Sequence, residues 1–233
     1  MADRATITYR FHLAHGVEAI ALNFDLATFA LEQPADKSPA DWAQLEFHQC
    51  PHCPLKPAQS PLCPFAHGLS GFVERFEEFR SFDKATIEVV TDGRTVVADK
   101  PLQDGMASLV GLIGATSGCP HLDYFRPMAR FHLPFASDDE TLFRVFSMYL
   151  LGRYLKDGTL GRAALDDLRA HTEAATRVNR GMADRVRAAF NRDVVVNAVI
   201  ILDMFARAVP FAIEDGLNEL RAMYGLPALE NDG

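Results

Sequence analysis

Each of the four cysteines in this 233-residue chain is followed directly by proline, and this pattern constrains the fold more than any other. The pairs are Cys50-Pro51, Cys53-Pro54, Cys63-Pro64 and Cys119-Pro120. A proline fixes its own φ and biases the preceding residue towards an extended backbone, so each thiol would lie on a stiff loop. Because the same setting recurs four times, we expect the cysteines to share one task and the fold to bring Cys119 back to the other three.

The cysteine spacing suits metal ligation. Cys50 and Cys53 form a C-x-x-C knuckle, and Cys63 follows in the same proline-rich segment. Structural zinc sites use four thiolates, and iron–sulfur clusters also take four cysteines. The sequence therefore predicts a metal site made of Cys50, Cys53, Cys63 and Cys119 that holds zinc or, as the alternative, an iron–sulfur cluster. A third interpretation is that the cysteines hold no metal and pack as small hydrophobic residues.

Histidines crowd the same region, and Cys-Pro-His occurs twice, at residues 50–52 and 119–121. A mixed Cys/His site is therefore a further alternative. The sequence does not decide whether any of four histidines is a ligand of such a site: His48, His52, His67 and His121. His132 lies further along the chain and is predicted to be structural.

The tetrapeptide CPHC at residues 50–53 resembles the active-site motif of the strongly oxidising disulfide oxidoreductases of the thioredoxin superfamily. The resemblance implies a redox dithiol whose first cysteine, Cys50, lies at a helix N-terminus, where its pKa is lowered. Three prolines within residues 54–61 disfavour a helix at this place. A thiol–disulfide oxidoreductase using Cys50 and Cys53 stands as an alternative function.

Charge and hydropathy narrow the class of protein further. The chain has 23 Lys and Arg against 31 Asp and Glu, a net charge of −8, so we predict no nucleic-acid partner. The most apolar segment, residues 194–213, contains two charged residues, an asparagine and a proline, which predicts no membrane span. The first residues lack the apolar run of a signal peptide, so a cytoplasmic protein is expected. In that reducing compartment, metal ligands or catalytic thiols are favoured over disulfides.

The first 136 residues carry the signals of two β-hairpins. Residues 7–13 and 20–24 alternate between apolar and polar side chains around a turn at Gly16. The second hairpin surrounds Asp92-Gly93, a dipeptide that favours tight turns between β-branched runs. Helices are predicted between the hairpins, with Leu69, Phe72, Phe76 and Phe79 on one face, and at Leu102 to Ile113.

After residue 136 the periodicity is helical. Ser137 and Glu140 have the spacing of a capping box, which predicts a helix that ends near Asp157-Gly158. A long amphipathic helix is predicted from about residue 165 to 186, and a last one from 213 to 224. We therefore predict the α+β class: an antiparallel sheet of two hairpins with packed helices, followed by a helical C-terminal region. Residues 1–136, with the cysteine site, and residues 137–233 are expected to pack as one compact unit.

The composition of three further segments predicts where their side chains lie. Five arginines between residues 177 and 192 are predicted to form a solvated helix face. The apolar helix at residues 194–205 predicts either a central buried helix or an interface with a protein partner, such as a homodimer. Four apolar residues near Cys119 are predicted to be core: Phe125, Phe131, Leu133 and Phe135. The alternative is that the aromatic and basic residues that follow Cys119 line a pocket beside the metal: Asp123, Tyr124, Phe125, Arg126, Pro127, Met128 and Arg130.

These patterns together predict a soluble, bacterial-type intracellular metal-binding protein with a four-cysteine site and an accessory or regulatory role. An iron–sulfur redox or electron-transfer protein and the oxidoreductase described above are the alternatives. The chain has no nucleotide-binding loop, zinc-protease motif or serine-hydrolase motif that would point to another activity.

Overall fold

The two predicted hairpins join into one four-stranded antiparallel sheet. The computed structural model describes residues 4–14, 16–33, 39–76, 78–158, 160–190, 194–203 and 221–227. The strands are β1 (Arg4–Leu13), β2 (Gly16–Asp25), β3 (Lys84–Val90) and β4 (Thr95–Pro101). Their order is β2-β1-β3-β4, so the first strands of the two hairpins pair with each other in the centre.

One face of the sheet is buried against helices. Along β1, Ile7, Tyr9 and Phe11 are buried, as the alternating pattern predicts. Phe11 lies beside Ile87 in the register of β1 and β3. Gly105 packs against both of these side chains, and a Cβ there would collide with Ile87. A glycine therefore lets the helix that carries it lie close to the sheet.

Helices complete the described fold. They are α1 (Pro64–Ser70), α2 (Leu102–Thr116), α3 (Arg126–Arg130), α4 (Asp138–Asp157) and α5 (Arg162–Ala189), and residues 194–203 are also helical. The predicted α+β class is confirmed, with an antiparallel sheet and helices concentrated in the C-terminal half.

The capping box of α4 forms as predicted. The Ser137 hydroxyl accepts from the backbone N–H of Glu140, whose carboxylate accepts from the N–H of Ser137. The helix ends at Gly158, which has a φ of 69°, a left-handed conformation that glycine adopts without strain. Local signals were therefore sufficient to define both ends of this helix.

The predicted continuous helix through Leu69 and Phe79 is wrong. The helix α1 stops at Ser70, and a short 3₁₀ turn follows at Val73–Phe76. Glycines on both sides of the break lower the helix propensity of this segment. Most of its apolar side chains are nevertheless buried, so core packing rather than a helical face decides its course.

The apolar segment that begins at residue 194 is buried within the chain. Val194, Val195, Val196, Ala198 and Val199 are each at most 6% exposed, which fits a central helix for residues 194–199. No helix in the described ranges is long and apolar enough to cross a membrane. The predicted helix at 213–224 lies largely outside the described residues. The division of the chain at residue 136, the homodimer, the absence of a nucleic-acid partner and the compartment stay predictions.

Candidate functional site

The four cysteines line one small cavity of about 20 Å³, together with His121 and Arg185. All four are free thiols. A tetrahedral zinc site needs its sulfurs at about 2.3 Å from one point. In the ranges listed above, no three His, Cys, Asp or Glu side chains are placed to hold a metal ion. The predicted function of a metal-binding protein using Cys50, Cys53, Cys63 and Cys119 is therefore wrong, as is its iron–sulfur alternative.

Burial dominates the chemistry of two of these thiols. Cys50 lies against α5, where a Cβ on Gly181 would approach its Sγ to 2.7 Å. Burial raises the pKa of the Cys50 thiol to about 11 and that of Cys119 to about 12, and the neighbouring thiols act in the same direction. Both groups therefore stay protonated at neutral pH.

The oxidoreductase alternative is also wrong. Residues 50–53 form a turn in which the N–H of Cys53 donates to the carbonyl of Cys50 at 2.9 Å, and no helix begins there. A reactive thiol of that family needs a lowered pKa, whereas the pKa of Cys50 is raised by burial. The resemblance to that family is therefore limited to the sequence of residues 50–53 and does not include their structure.

Residues 41–63, which carry Cys50, Cys53 and Cys63, are called the cysteine loop here, and the histidines in and near it have structural contacts. The rings of His52 and His121 stack at 4.3 Å, and Nε2 of His121 lies 2.9 Å from the carbonyl oxygen of His52. His52 in turn bonds through Nε2 to the carbonyl of Ala174 on α5, at 3.1 Å. His67 lies in α1, and His48 has a φ of 47° in the loop. These contacts attach the loop to α5.

Arg185 of α5 connects this loop to α5 by three hydrogen bonds, and its predicted exposure to solvent is wrong. Arg185 is 2% exposed, whereas it was predicted to lie on a solvated face with Arg177, Arg180 and Arg187, which are exposed. Its guanidinium donates to the carbonyls of Trp42, Gln44 and Leu45 at 2.6–3.1 Å. Arg192 lies outside the described residues.

The signal for this burial was present in the helical periodicity. Val178, Met182 and Val186 are buried on α5, and Arg185 falls on the same face as Val178 and Met182. The position of a residue on the helix, rather than its charge, is what identifies it as a buried cation here.

A second and much larger cavity, of about 580 Å³, lies between α2, α4 and α5. Small residues of one face of α2 form its longest wall: Ala107, Gly111, Gly114 and Ala115. The lining residues of α2 run from Gln103 to Ala115, a length of about 18 Å at about 1.5 Å per residue. A Cβ on Gly111 would meet Leu202, and one on Gly114 would meet Leu122 and Phe65, so these two glycines let neighbouring side chains pack closely beside the cavity.

A chain of three hydrogen-bonded side chains lies at one wall of this cavity. The hydroxyl of Tyr9, which is fully buried, lies 2.5 Å from Nε2 of His132 and 2.9 Å from Oγ of Ser108. His132 and Ser108 line the cavity. Burial raises the pKa of Tyr9 and lowers that of His132 to about 3, so both groups are neutral at physiological pH. Since Tyr9 occupies Nε2, the ring nitrogen of His132 that remains for a bound molecule is Nδ1.

Arg144 of α4 also lines the cavity. Its Nη2 donates to the carbonyls of Met128 and Phe131, each at 2.8 Å. Among the described residues, no carboxylate forms an ion pair with it. Burial lowers the pKa of Arg144, because its charge is partly removed from water, while the nearby carboxylate of Glu140 acts in the opposite direction.

Asn179 of α5 contributes a buried polar group to the same cavity. It is 6% exposed and makes no hydrogen bond to another described residue. Buried polar side chains are usually paired, so an unpaired carboxamide on a cavity wall marks a place where a bound molecule can bond.

Sequence reasoning found this cavity only in part. Phe125 and Met128, from the segment that could line a pocket, do line this cavity, and so do Leu133 and Phe135, which were predicted to be core. In the described residues the cavity does not lie beside a metal site. Phe131 is 60% exposed, so its assignment to the core is wrong. The missed signal was the spacing of small residues along α2.

Comparison with known proteins gives a family but no established activity. No curated protein and no solved structure matches the chain. A family model described as a domain of unknown function, DUF6901, matches residues 7–225, which is nearly the whole chain. The chain therefore belongs to the DUF6901 family.

Proposed function

We propose that this protein binds a small, mainly apolar molecule in the large cavity beside α2. The observation that carries the proposal is the cavity itself, with its volume of about 580 Å³ and its wall of small residues. Ligand sites in proteins have volumes of about 300–1,000 Å³, mostly apolar walls and a few polar groups that orient the ligand. The cavity has each of these properties.

Packing physics supports an occupant. Protein interiors are close-packed, and the side chains around a void lose dispersion contacts that a bound molecule restores. The polar groups on the walls come from separate elements: Ser108 from α2, Arg144 from α4 and Asn179 from α5. A ligand that touches all three would be oriented by the fold rather than held by a single loop.

A fluorescent apolar probe tests this function. Nile red, which is neutral and brightens in apolar surroundings, is expected to bind saturably with about one site per chain. Ala107→Leu adds three carbons to the cavity wall and is expected to weaken Nile red binding about tenfold, since overfilling a site costs about 1–3 kcal/mol. The matched control is Ala170→Leu, on an exposed position of α5, which should leave the affinity unchanged.

Two results would contradict the proposal. The first is the absence of saturable Nile red binding to the wild-type protein. The second is equal affinity in wild type and Ala107→Leu while the variant retains its melting temperature, because the probe would then be bound elsewhere.

A further inference from the structure

From the polar end of the cavity, we infer that the ligand is an organic acid: a monocarboxylate with an apolar body. Its carboxylate would lie between the guanidinium of Arg144 and Nδ1 of His132, and its body would follow α2. This inference rests on the proposed ligand-binding function of the cavity and specifies the chemical class that the cavity takes.

Arg144 is the cation best placed to receive such a carboxylate. Two other arginines with mostly buried side chains, Arg126 and Arg153, have acidic partners: Asp123 for the first, and Asp157 and Asp167 for the second. Arg144 bonds only to backbone carbonyls, and it does so through a single nitrogen, Nη2. These bonds hold the side chain in place and leave Nε and Nη1 as donors. A guanidinium pairs well with a carboxylate because its donors match both oxygens.

His132 provides a second donor beside Arg144. When the Tyr9 hydroxyl donates to Nε2, the proton of the neutral ring is on Nδ1, which then donates to a ligand. Ser108 supports this arrangement by donating to the oxygen of Tyr9, 2.9 Å away. The two cavity-lining groups lie near each other, because Arg144 donates to the carbonyl of Phe131, the residue that precedes His132.

The remaining charges favour a single negative charge on the ligand. Asp104 and Asp138 line the same cavity, in the first turns of α2 and α4. The positive ends of the helix dipoles of α2 and α4 stabilise these two carboxylates. The carboxylates therefore do not need a cationic ligand to balance their charge. In the described part of the chain, the cations that line the cavity are the half-buried Arg144 and the exposed Lys100. A phosphate dianion would be repelled by both carboxylates, whereas a monocarboxylate carries the single charge that neutralises Arg144.

The test compares acids with their neutral isosteres by isothermal titration calorimetry. The two pairs are decanoic acid with decanamide, and 2-naphthoic acid with 2-naphthamide, each titrated into the full-length protein at neutral pH. At least one acid is expected to bind about tenfold or more tightly than its amide, since a charged hydrogen-bonded pair contributes about 1.5–3 kcal/mol. Decylamine is titrated as the cationic counterpart of decanoic acid and is expected to bind more weakly than the acid.

Variants assign the preference to Arg144. Arg144→Gln is expected to remove the advantage of the acid over its amide, measured as the ratio of the two affinities in the same variant. Arg144→Lys keeps the charge and a donor for the carbonyls but loses the forked geometry, so it should retain part of the preference and a wild-type melting temperature. Arg187→Gln, which removes an exposed arginine of α5, should keep the full preference.

The outcomes separate this inference from the proposed function. Equal binding of acids and amides, or tighter binding of decylamine, overturns the carboxylate inference while the cavity remains a ligand site. An acid preference that survives undiminished in Arg144→Gln also overturns it, because the anion would be bound elsewhere. Failure of every compound and of Nile red to bind removes both proposals.

Discussion

The two cavities of this protein differ in how completely the protein itself satisfies their polar groups. In the cysteine cavity, Arg185 has two of its nitrogens engaged by three carbonyls, and only about 20 Å³ of space remains. In the cavity beside α2, Arg144 uses one nitrogen, Asn179 makes no hydrogen bond to another described residue, and about 580 Å³ is open. The comparison teaches that reactive residue types are not sufficient for a site. Room and unsatisfied donors are needed as well.

The largest expected effect contrasts the two arginines. Arg185→Met leaves three carbonyls without this donor, two of them in buried bonds, and is expected to lower the free energy of unfolding by about 3–5 kcal/mol. Arg144→Gln removes bonds in a half-buried position and is expected to cost about 1 kcal/mol. Urea unfolding of both variants measures the difference. Equal losses would mean that the two arginines are equally structural and would remove the distinction between the cavities.

The second prediction concerns the close contact between α5 and the cysteine loop. Gly181→Ala places a Cβ 2.7 Å from the Cys50 sulfur and is expected to destabilise the protein by about 1–3 kcal/mol through overpacking. Cys50→Ala in the same chain removes the sulfur and should recover most of this loss. A double-mutant cycle from chemical unfolding gives the coupling energy, and a value near zero would contradict the contact.

The third prediction uses the buried histidine of the large cavity. The pKa of His132 is about 3 in the folded chain, below the ordinary value of about 6.5 expected when it is unfolded. Below pH 6.5 the unfolded state therefore binds more protons, and stability falls as the pH is lowered towards 3. Between pH 6.5 and 5 the loss from this group is expected to be about 1–2 kcal/mol. His132→Gln should show a shallower decline in urea unfolding over this range, and parallel curves would contradict the assignment.

The smallest expected effect comes from filling the large cavity. Ala107→Leu is expected to change the free energy of unfolding by less than about 0.5 kcal/mol or to raise it slightly, because the added carbons enter open space. This contrasts with Gly181→Ala, where a single carbon enters a filled region. Thermal unfolding of the two variants side by side measures the contrast. A large loss of stability in Ala107→Leu would indicate that the cavity has less room than its volume implies.

The parts of the fold that were predictable from sequence depend on local chemistry. The turn at Asp92-Gly93 and the capping box at Ser137 each involve residues within a few positions of one another, and the structure contains both. The pairing of β1 with β3 and the contact of Tyr9 with His132 connect residues far apart in the chain. No local sequence pattern encodes such long-range contacts, so they could be identified only in the three-dimensional structure.

The candidate site was predictable to a lesser extent. The recurrence of Cys-Pro indicated that the four cysteines belong together, and they do line one cavity. The pattern did not contain the distances between the sulfurs or the burial that keeps Cys50 and Cys119 protonated. The helix phase of Arg185 and the small residues at 107 and 111 were readable in principle, because both follow helical periodicity.

The bonds of Arg185 have a consequence for synthesis on the ribosome. The guanidinium and the Leu45 carbonyl that it binds are separated by 140 residues. Translation proceeds at about 5–20 residues per second, so roughly 7–28 s pass between the synthesis of the two partners. During that interval the carbonyls of the cysteine loop have no arginine to accept from. The loop that carries three of the four thiols is therefore synthesised early, but its hydrogen bonds to Arg185 can form only after most of the chain has been made.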